Sequence, residues 1–134
     1  MISNGIVSVK STQSFSETCR RTEFLIKARS MTIFGDIDFK RDAEKAGLTL
    51  WPARLYIFGN PAAGTPPIQA AATSALDFPM KVLITEEPSG GVWLRYNSPA
   101  YLAERHGIPA NLLKNISGVE GLVERAAGPD PISG

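Results

Sequence analysis

Met80-Lys81-Val82-Leu83-Ile84-Thr85-Glu86 and Val92-Trp93-Leu94-Arg95-Tyr96-Asn97, joined by Glu87-Pro88-Ser89-Gly90-Gly91, set the architecture of this chain. Both flanks are rich in β-branched and aromatic residues, and the connection between them holds Pro, Ser and paired Gly. Such a pattern is a β-hairpin, so the sheet is antiparallel at this point. Upstream, Arg54-Leu55-Tyr56-Ile57-Phe58 follows Pro52 and is apolar on both faces, which suits a strand in the middle of a sheet. Thr32 to Phe39 alternates, with Ile33, Ile37 and Phe39 on one side and Thr32, Asp36 and Asp38 on the other. Gly5 to Lys10 does the same with Val7 and Val9 against Ser8 and Lys10.

Helices fill the intervals. Ser14-Phe15-Ser16-Glu17 is a capping box, in which Ser14 accepts from the backbone three residues on while Glu17 reaches back. Beyond it Phe15, Cys19, Thr22 and Ile26 recur at helical spacing and form one inward stripe. Lys40 to Ala46 is a short polar helix stopped by Gly47. Gly59-Asn60-Pro61-Ala62-Ala63-Gly64 reads as a loop, with Thr65-Pro66-Pro67 as cap and first turn of a helix to about Ser74. Ser98-Pro99 opens a helix through Arg105 that ends at Gly107. Pro109 begins the last one, whose stripe is Leu112, Ile116, Val119, Val123 and Ala126. Gly118 and Gly121 interrupt that stripe at about 1 kcal/mol each. The tail after Gly128 is expected to be loose. Repeated βαβ units are absent, so the expected fold is α+β: a single antiparallel sheet of about five strands, helices mainly on one face, and one domain over residues 1–134. Apolar residues on both sheet faces require a second cover, which a homodimer supplies.

Composition narrows the function. The chain has 134 residues, 43% of them hydrophobic, and a net charge of +1, which excludes a disordered chain. One Cys excludes a disulfide framework and a Cys-rich zinc site. No apolar run approaches the roughly 20 residues that span a bilayer, and no basic, then apolar, leader opens the chain, so a cytoplasmic protein without membrane contact is expected. Residues 1–67 hold nine bases and six acids, the remainder five bases and seven acids. Neither half has the clustered cations that neutralise about six to ten phosphates, so no nucleic-acid partner is expected.

Leu55-Tyr56-Ile57-Phe58-Gly59-Asn60-Pro61-Ala62-Ala63-Gly64-Thr65-Pro66-Pro67-Ile68-Gln69-Ala70-Ala71-Ala72, followed by Leu76-Asp77-Phe78-Pro79-Met80-Lys81, resembles the bacterial domain of unknown function 302 family. Ile37-Asp38 and Val92 to Leu102 extend the likeness over nearly the whole chain. The resemblance implies a curved antiparallel sheet similar to the TATA-binding-protein-like arrangement, and dimeric relatives; it implies no activity. Members often read Ile-Asp-His where this chain has Ile37-Asp38-Phe39, and Pro where it has Ala72. Without that His, an Asp-His metal or acid–base role loses its basis here.

Gly59 to Gly64 has the glycine spacing of a phosphate loop between a strand and a helix, but the decisive Lys is missing, and Pro66 and Pro67 lack the N–H groups with which a helix start grips an anion. Asp36 and Asp38 share a strand face, about 7 Å apart by strand rise, and with Asp77, Glu86 and Glu87 are the acids available for a carboxylate pair. Asp38 and Asp77 lie in the family-like blocks. His106 suits a helix end, where a cation is favoured, and Cys19 sits among core positions. One His and one Cys are too few for a metal site. The leading expectation is a homodimer without catalytic chemistry or cofactor that binds a small ligand near Gly59 to Thr65. Its candidate residues are Asp38, Gly59, Asn60, Gly64, Thr65, Asp77 and Tyr96. A second expectation is a small metal-independent enzyme using Asp38 with Asn60, Thr65 and Tyr96; a third is a protein interaction module.

Overall fold

The computed structural model describes residues 1–132. Six strands form one open antiparallel sheet: β1 (Ile2–Ser3), β2 (Ile6–Lys10), β3 (Thr32–Asp38), β4 (Ala53–Gly59), β5 (Met80–Glu86) and β6 (Val92–Asn97), in the order β1-β2-β6-β5-β4-β3. The β5–β6 hairpin has the ends expected from the sequence, with Leu83 opposite Arg95 and Glu86 opposite Val92. The sixth strand comes from the N-terminus. Asn4 and Gly5 take φ of 54° and 77°, the left-handed pair that a tight two-residue hairpin requires, and fold Ile2–Ser3 onto β2. Gly5 is needed for a second reason: a Cβ there would lie 2.4 Å from the Tyr101 ring.

Side-chain alternation along β4, β5 and β6 gives the sheet one closed face. Tyr56, Phe58, Val82, Ile84, Leu94 and Tyr96 are buried, while Leu55, Ile57, Leu83 and Trp93 between them are only half-buried. Helices α1 (Phe15–Ala28) and α5 (Gly118–Ala127) close that face with Cys19, Leu25, Ile26, Leu122, Val123 and Ala126. Ser14 caps α1 by accepting from the Glu17 N–H at 3.1 Å. The Glu17 carboxylate, however, turns to Arg20 at 2.7 Å, because a charged partner one turn on competes with the backbone N–H it was expected to meet.

Arg21 joins the two helices. Its side chain is buried, and its guanidinium donates to the carbonyls of Arg125, Ala126, Gly128 and Asp130 at 2.7–3.0 Å. Helix C-terminal carbonyls lack intrahelical donors and carry partial negative charge, so one cation satisfies several of them together. Beyond them Ile132 is buried in the core, so the segment expected to be loose after Gly128 is held as far as residue 132.

Three other expectations change. A bulge between Ile33 and Gly35 shifts the register of β3, so that Ile33 faces Phe58 on the closed side and Ile37 faces Leu55 on the other. Phe39 opens α2 (Phe39–Lys45) instead of ending β3, because the Asp38 carboxylate caps that helix, accepting from the Arg41 N–H at 3.0 Å. The last helix is split. A 3-10 turn, Ala110–Asn115, ends where Ile116 turns into the core, and α5 starts anew at Gly118. Helix α4 (Pro99–His106) matches expectation, capped by Ser98 and closed by Gly107 at φ 72°.

Arg21→Ala will cost about 3 kcal/mol, since it strands the carbonyls at the end of α5 and empties buried volume. Urea unfolding of the two proteins checks this; a loss under about 1 kcal/mol would remove Arg21 from its structural role.

Candidate functional site

Helix α3 spans Pro61–Ala70, so it begins several residues earlier than the sequence pattern suggests. Asn60 is the true cap: its Oδ1 accepts from the Ala62 N–H at 3.0 Å, and Pro61 occupies the first helical position, where no N–H is needed. The Gly59 to Gly64 stretch is therefore a strand end, a cap and a helical turn, and the apparent phosphate loop does not exist. Pro66 and Pro67 fall inside the helix, where each removes a donor. The missing Pro67 N–H frees the Ala63 carbonyl, and Asn115 Nδ2 donates to it at 3.0 Å. That bond ties α3 to the Ala110–Asn115 turn.

Between these elements lies a cavity of about 400 Å³. Phe58, Ile116 and Val119 are its buried floor, and Met31, Ile68, Phe78 and Met80 its half-buried walls. Asn60, Thr65 and Asn115 are its polar groups, and Gly59 and Gly64 complete the α3 side. The β3 bulge re-aims Phe34, which is 53% exposed, to the rim beside Gly59. Four expected site residues, Gly59, Asn60, Gly64 and Thr65, thus surround one cavity.

The other three lie elsewhere. Asp38 caps α2 at the far end of the β3–β4 ladder, opposite Arg54, while Gly59 pairs with Thr32. Five strand steps separate them, roughly 17 Å. Tyr96 lies on the closed face, where burial, with Glu120 and Glu124 nearby, raises its pKa. Asp38, Asn60, Thr65 and Tyr96 consequently do not form one constellation. Asp77 ends a second 3-10 turn, Ala72–Asp77, and its Oδ2 accepts from Arg105 at 2.8 Å and pairs with His106 Nε2 at 2.5 Å. Thr73 meets His106 Nδ1 at 2.9 Å. This clasp fixes the turn that carries Ala75 to the cavity wall. His106 is thus taken up by Asp77 and Thr73.

A separate polar group lies under α1. Arg54 grips Asp36 through two bonds of 2.7 and 2.8 Å and stacks on Tyr56 at 5.1 Å. The Arg54 guanidinium lowers the Asp36 pKa, while burial pushes the Cys19 thiol up to about 11 and holds it protonated. Among the described residues no group of three or more His, Cys, Asp or Glu could hold a metal ion. Sequence reading missed Phe34, Phe78, Asn115, Ile116 and Val119. Two signals pointed to part of this set: Gly35 beside a strand irregularity, and tandem prolines whose helix needs an outside donor.

The His106 and Arg105 bonds hold the Asp77 carboxyl below the ordinary carboxylate range. A depressed carboxylate stabilises the fold above its unfolded pKa and loses that contribution as pH falls through its folded pKa. Asp77→Asn will therefore be less stable than the parent at neutral pH, with a shallower loss as pH falls below the ordinary carboxylate range of about 4. Thermal unfolding across that range tests it, and parallel curves would exclude the clasp as a source of acid sensitivity.

Comparison with known proteins agrees with the fold. A solved structure of an uncharacterized conserved protein DUF302 from Bacillus stearothermophilus is similar with a TM-score of 0.75 at 15% identity, covering 93% of this chain and 97% of that one. Two curated relatives named fluoride-specific ion channel FluC 1 are each 43% identical over 108 residues. They come from Brucella suis biovar 1 and Brucella abortus biovar 1, and the match covers 81% of this chain but 42% and 40% of theirs. The chain thus spans about two fifths of the length of these relatives. Among the described residues no helix is long and apolar enough to cross a membrane. Residues 7–125 match the family model described as Domain of unknown function DUF302, and with the fold and that match together the chain belongs to this family.

Proposed function

We propose that this domain is a small-molecule binding module whose site is the cavity between α3 and α5. The observation that carries this reading is the cavity itself. Ligand sites are concave, mainly apolar and roughly 300–1,000 Å³, with a few polar groups that orient the guest. Here about 400 Å³, partly open to solvent, is lined by aromatic, Met and Ile side chains, with Asn60, Thr65 and Asn115 as the polar set. Binding is favoured over turnover because no titratable side chain lines the wall, and general acid–base chemistry needs one within hydrogen-bond reach. The channel name belongs to the relatives as whole proteins; from it we carry only that a domain of this kind occurs within a longer chain.

Half-buried Ile37, Leu55, Ile57, Leu83 and Trp93 on the open sheet face support a homodimer as the working form. Covering that face with a second copy removes apolar surface from water at about 25 cal/mol per Å². A different protein covering the same face is the interaction-module reading.

Native mass spectrometry of the purified protein will show a dimer carrying a reproducible added mass. Gly64→Leu will lose the added mass and keep its fold, since a Cβ at this cavity-lining position meets nothing within 4 Å. An added mass retained by Gly64→Leu would place binding elsewhere. Leu83→Lys will shift sedimentation equilibrium to monomer and leave the added mass in place; a parent that is monomeric at micromolar concentration overturns the dimer.

A further inference from the structure

We propose that the cavity between α3 and α5 takes an uncharged, predominantly apolar molecule with a single polar end, such as a medium-chain alcohol. The inference rests on reading this cavity as a binding site and adds the chemical class of its occupant. Its lining contains no Asp, Glu, Lys, Arg or His. Burying an unpaired ion in such surroundings costs several kcal/mol even after relaxation, so a charged guest needs a fixed counter-charge.

Two cations beside the lining have carbonyl partners. Arg29 Nη1 donates to the Gly118 carbonyl at 3.1 Å. Lys81 Nζ donates to the carbonyls of Pro79 and Asp77 at 3.2 and 3.4 Å. Nor does the start of α3 hold free donors for an anion. Pro61 has no N–H, Ala62 donates to Asn60 Oδ1, and Ala63 and Gly64 both donate to the Asn60 carbonyl at 2.9 Å. Polar recognition is left to neutral groups: the Asn60 amide, the Thr65 hydroxyl and the Asn115 amide, which gives one of its two Nδ2 hydrogens to Ala63. These suit a hydroxyl or carbonyl oxygen, while Phe58, Phe78, Ile116 and Val119 surround a hydrocarbon body. Met31 and Met80, with unbranched thioether side chains, let the walls adapt to its shape.

Methionine methyl NMR tests this directly, because Met31 and Met80 line the cavity and Met1, 82% exposed, is an internal control. Protein labelled at the Met methyl carbons is titrated with decanol and, separately, with decanoate. The expected result is that decanol shifts Met31 and Met80 but not Met1, and binds about ten-fold or more tighter than decanoate, or over 1.4 kcal/mol. The Gly64→Leu variant, checked for native unfolding behaviour, will lose the decanol response. Decanoate binding as tightly as decanol at the same methyls overturns the neutral class while leaving the site, and would assign the carboxylate to the first turn of α5 at Gly118 and Val119. Met31 and Met80 unmoved by either probe up to its solubility would overturn both the class and the site.

Discussion

Burial of one face of β4, β5 and β6 beneath α1 and α5 is the contact on which the rest of the molecule depends. Tyr56, Val82, Ile84 and Leu94 meet Ile26, Leu122, Val123 and Ala126 with almost no remaining exposure. Each fully buried aliphatic side chain is worth roughly 1.5–3 kcal/mol, which is large against a total stability of about 5–15 kcal/mol. Helix α5 can supply half of that cover only if its C-terminal carbonyls are satisfied where they are partly shielded from water. Arg21 does this from α1, so the helix pair and the sheet form one mechanical unit.

Backbone donors removed at one point create the cavity at another. Tandem prolines in α3 free the Ala63 carbonyl, and Asn115 takes it from the turn before α5. The bond holds α3 apart from the sheet end, with the space between lined by Phe58, Ile116 and Val119. On the other side, the Ala72–Asp77 turn is held from outside by His106 and Arg105. An imidazole between a hydroxyl and a carboxylate can keep both bonds in its neutral tautomer and as imidazolium, so the clasp suits support better than switching. A backbone frame held in this way, with adaptable Met side chains inside it, suits a largely preformed site, which costs a ligand little ordering entropy.

Charge is distributed in a way that keeps the cavity neutral. Three ion pairs lie exposed along single helices, Glu17 with Arg20, Glu23 with Lys27 and Lys40 with Glu44, where they contribute little. The better-shielded Asp36–Arg54 pair sits by Tyr56 under α1, at the opposite end of β4 from Gly59. Acids that a reader of the sequence would assign to a site are thereby used as caps, clasps and ion pairs.

Local patterns in the chain were sufficient for most of the elements. The β5–β6 hairpin, the Ser14 and Ser98 caps, the Gly107 stop and the alternation that gives the sheet a closed face all depend on residues within a few positions of one another. Asn4-Gly5 is equally local, but Gly5 reads in the sequence as the start of a strand, and the hairpin that adds the sixth strand appears only in the structure. Long-range placement was beyond that reach. Whether Asp38 and Asn60 share a site depends on antiparallel pairing of β3 with β4, which sets them at opposite ends of one ladder. Asn115 joins Ala63 across 52 positions, and Arg21 reaches Asp130 across 109. Hydrogen-bond needs created by a proline or a helix end can be read from sequence, but the partner that meets them is chosen by three-dimensional proximity, which arises only once the core has packed.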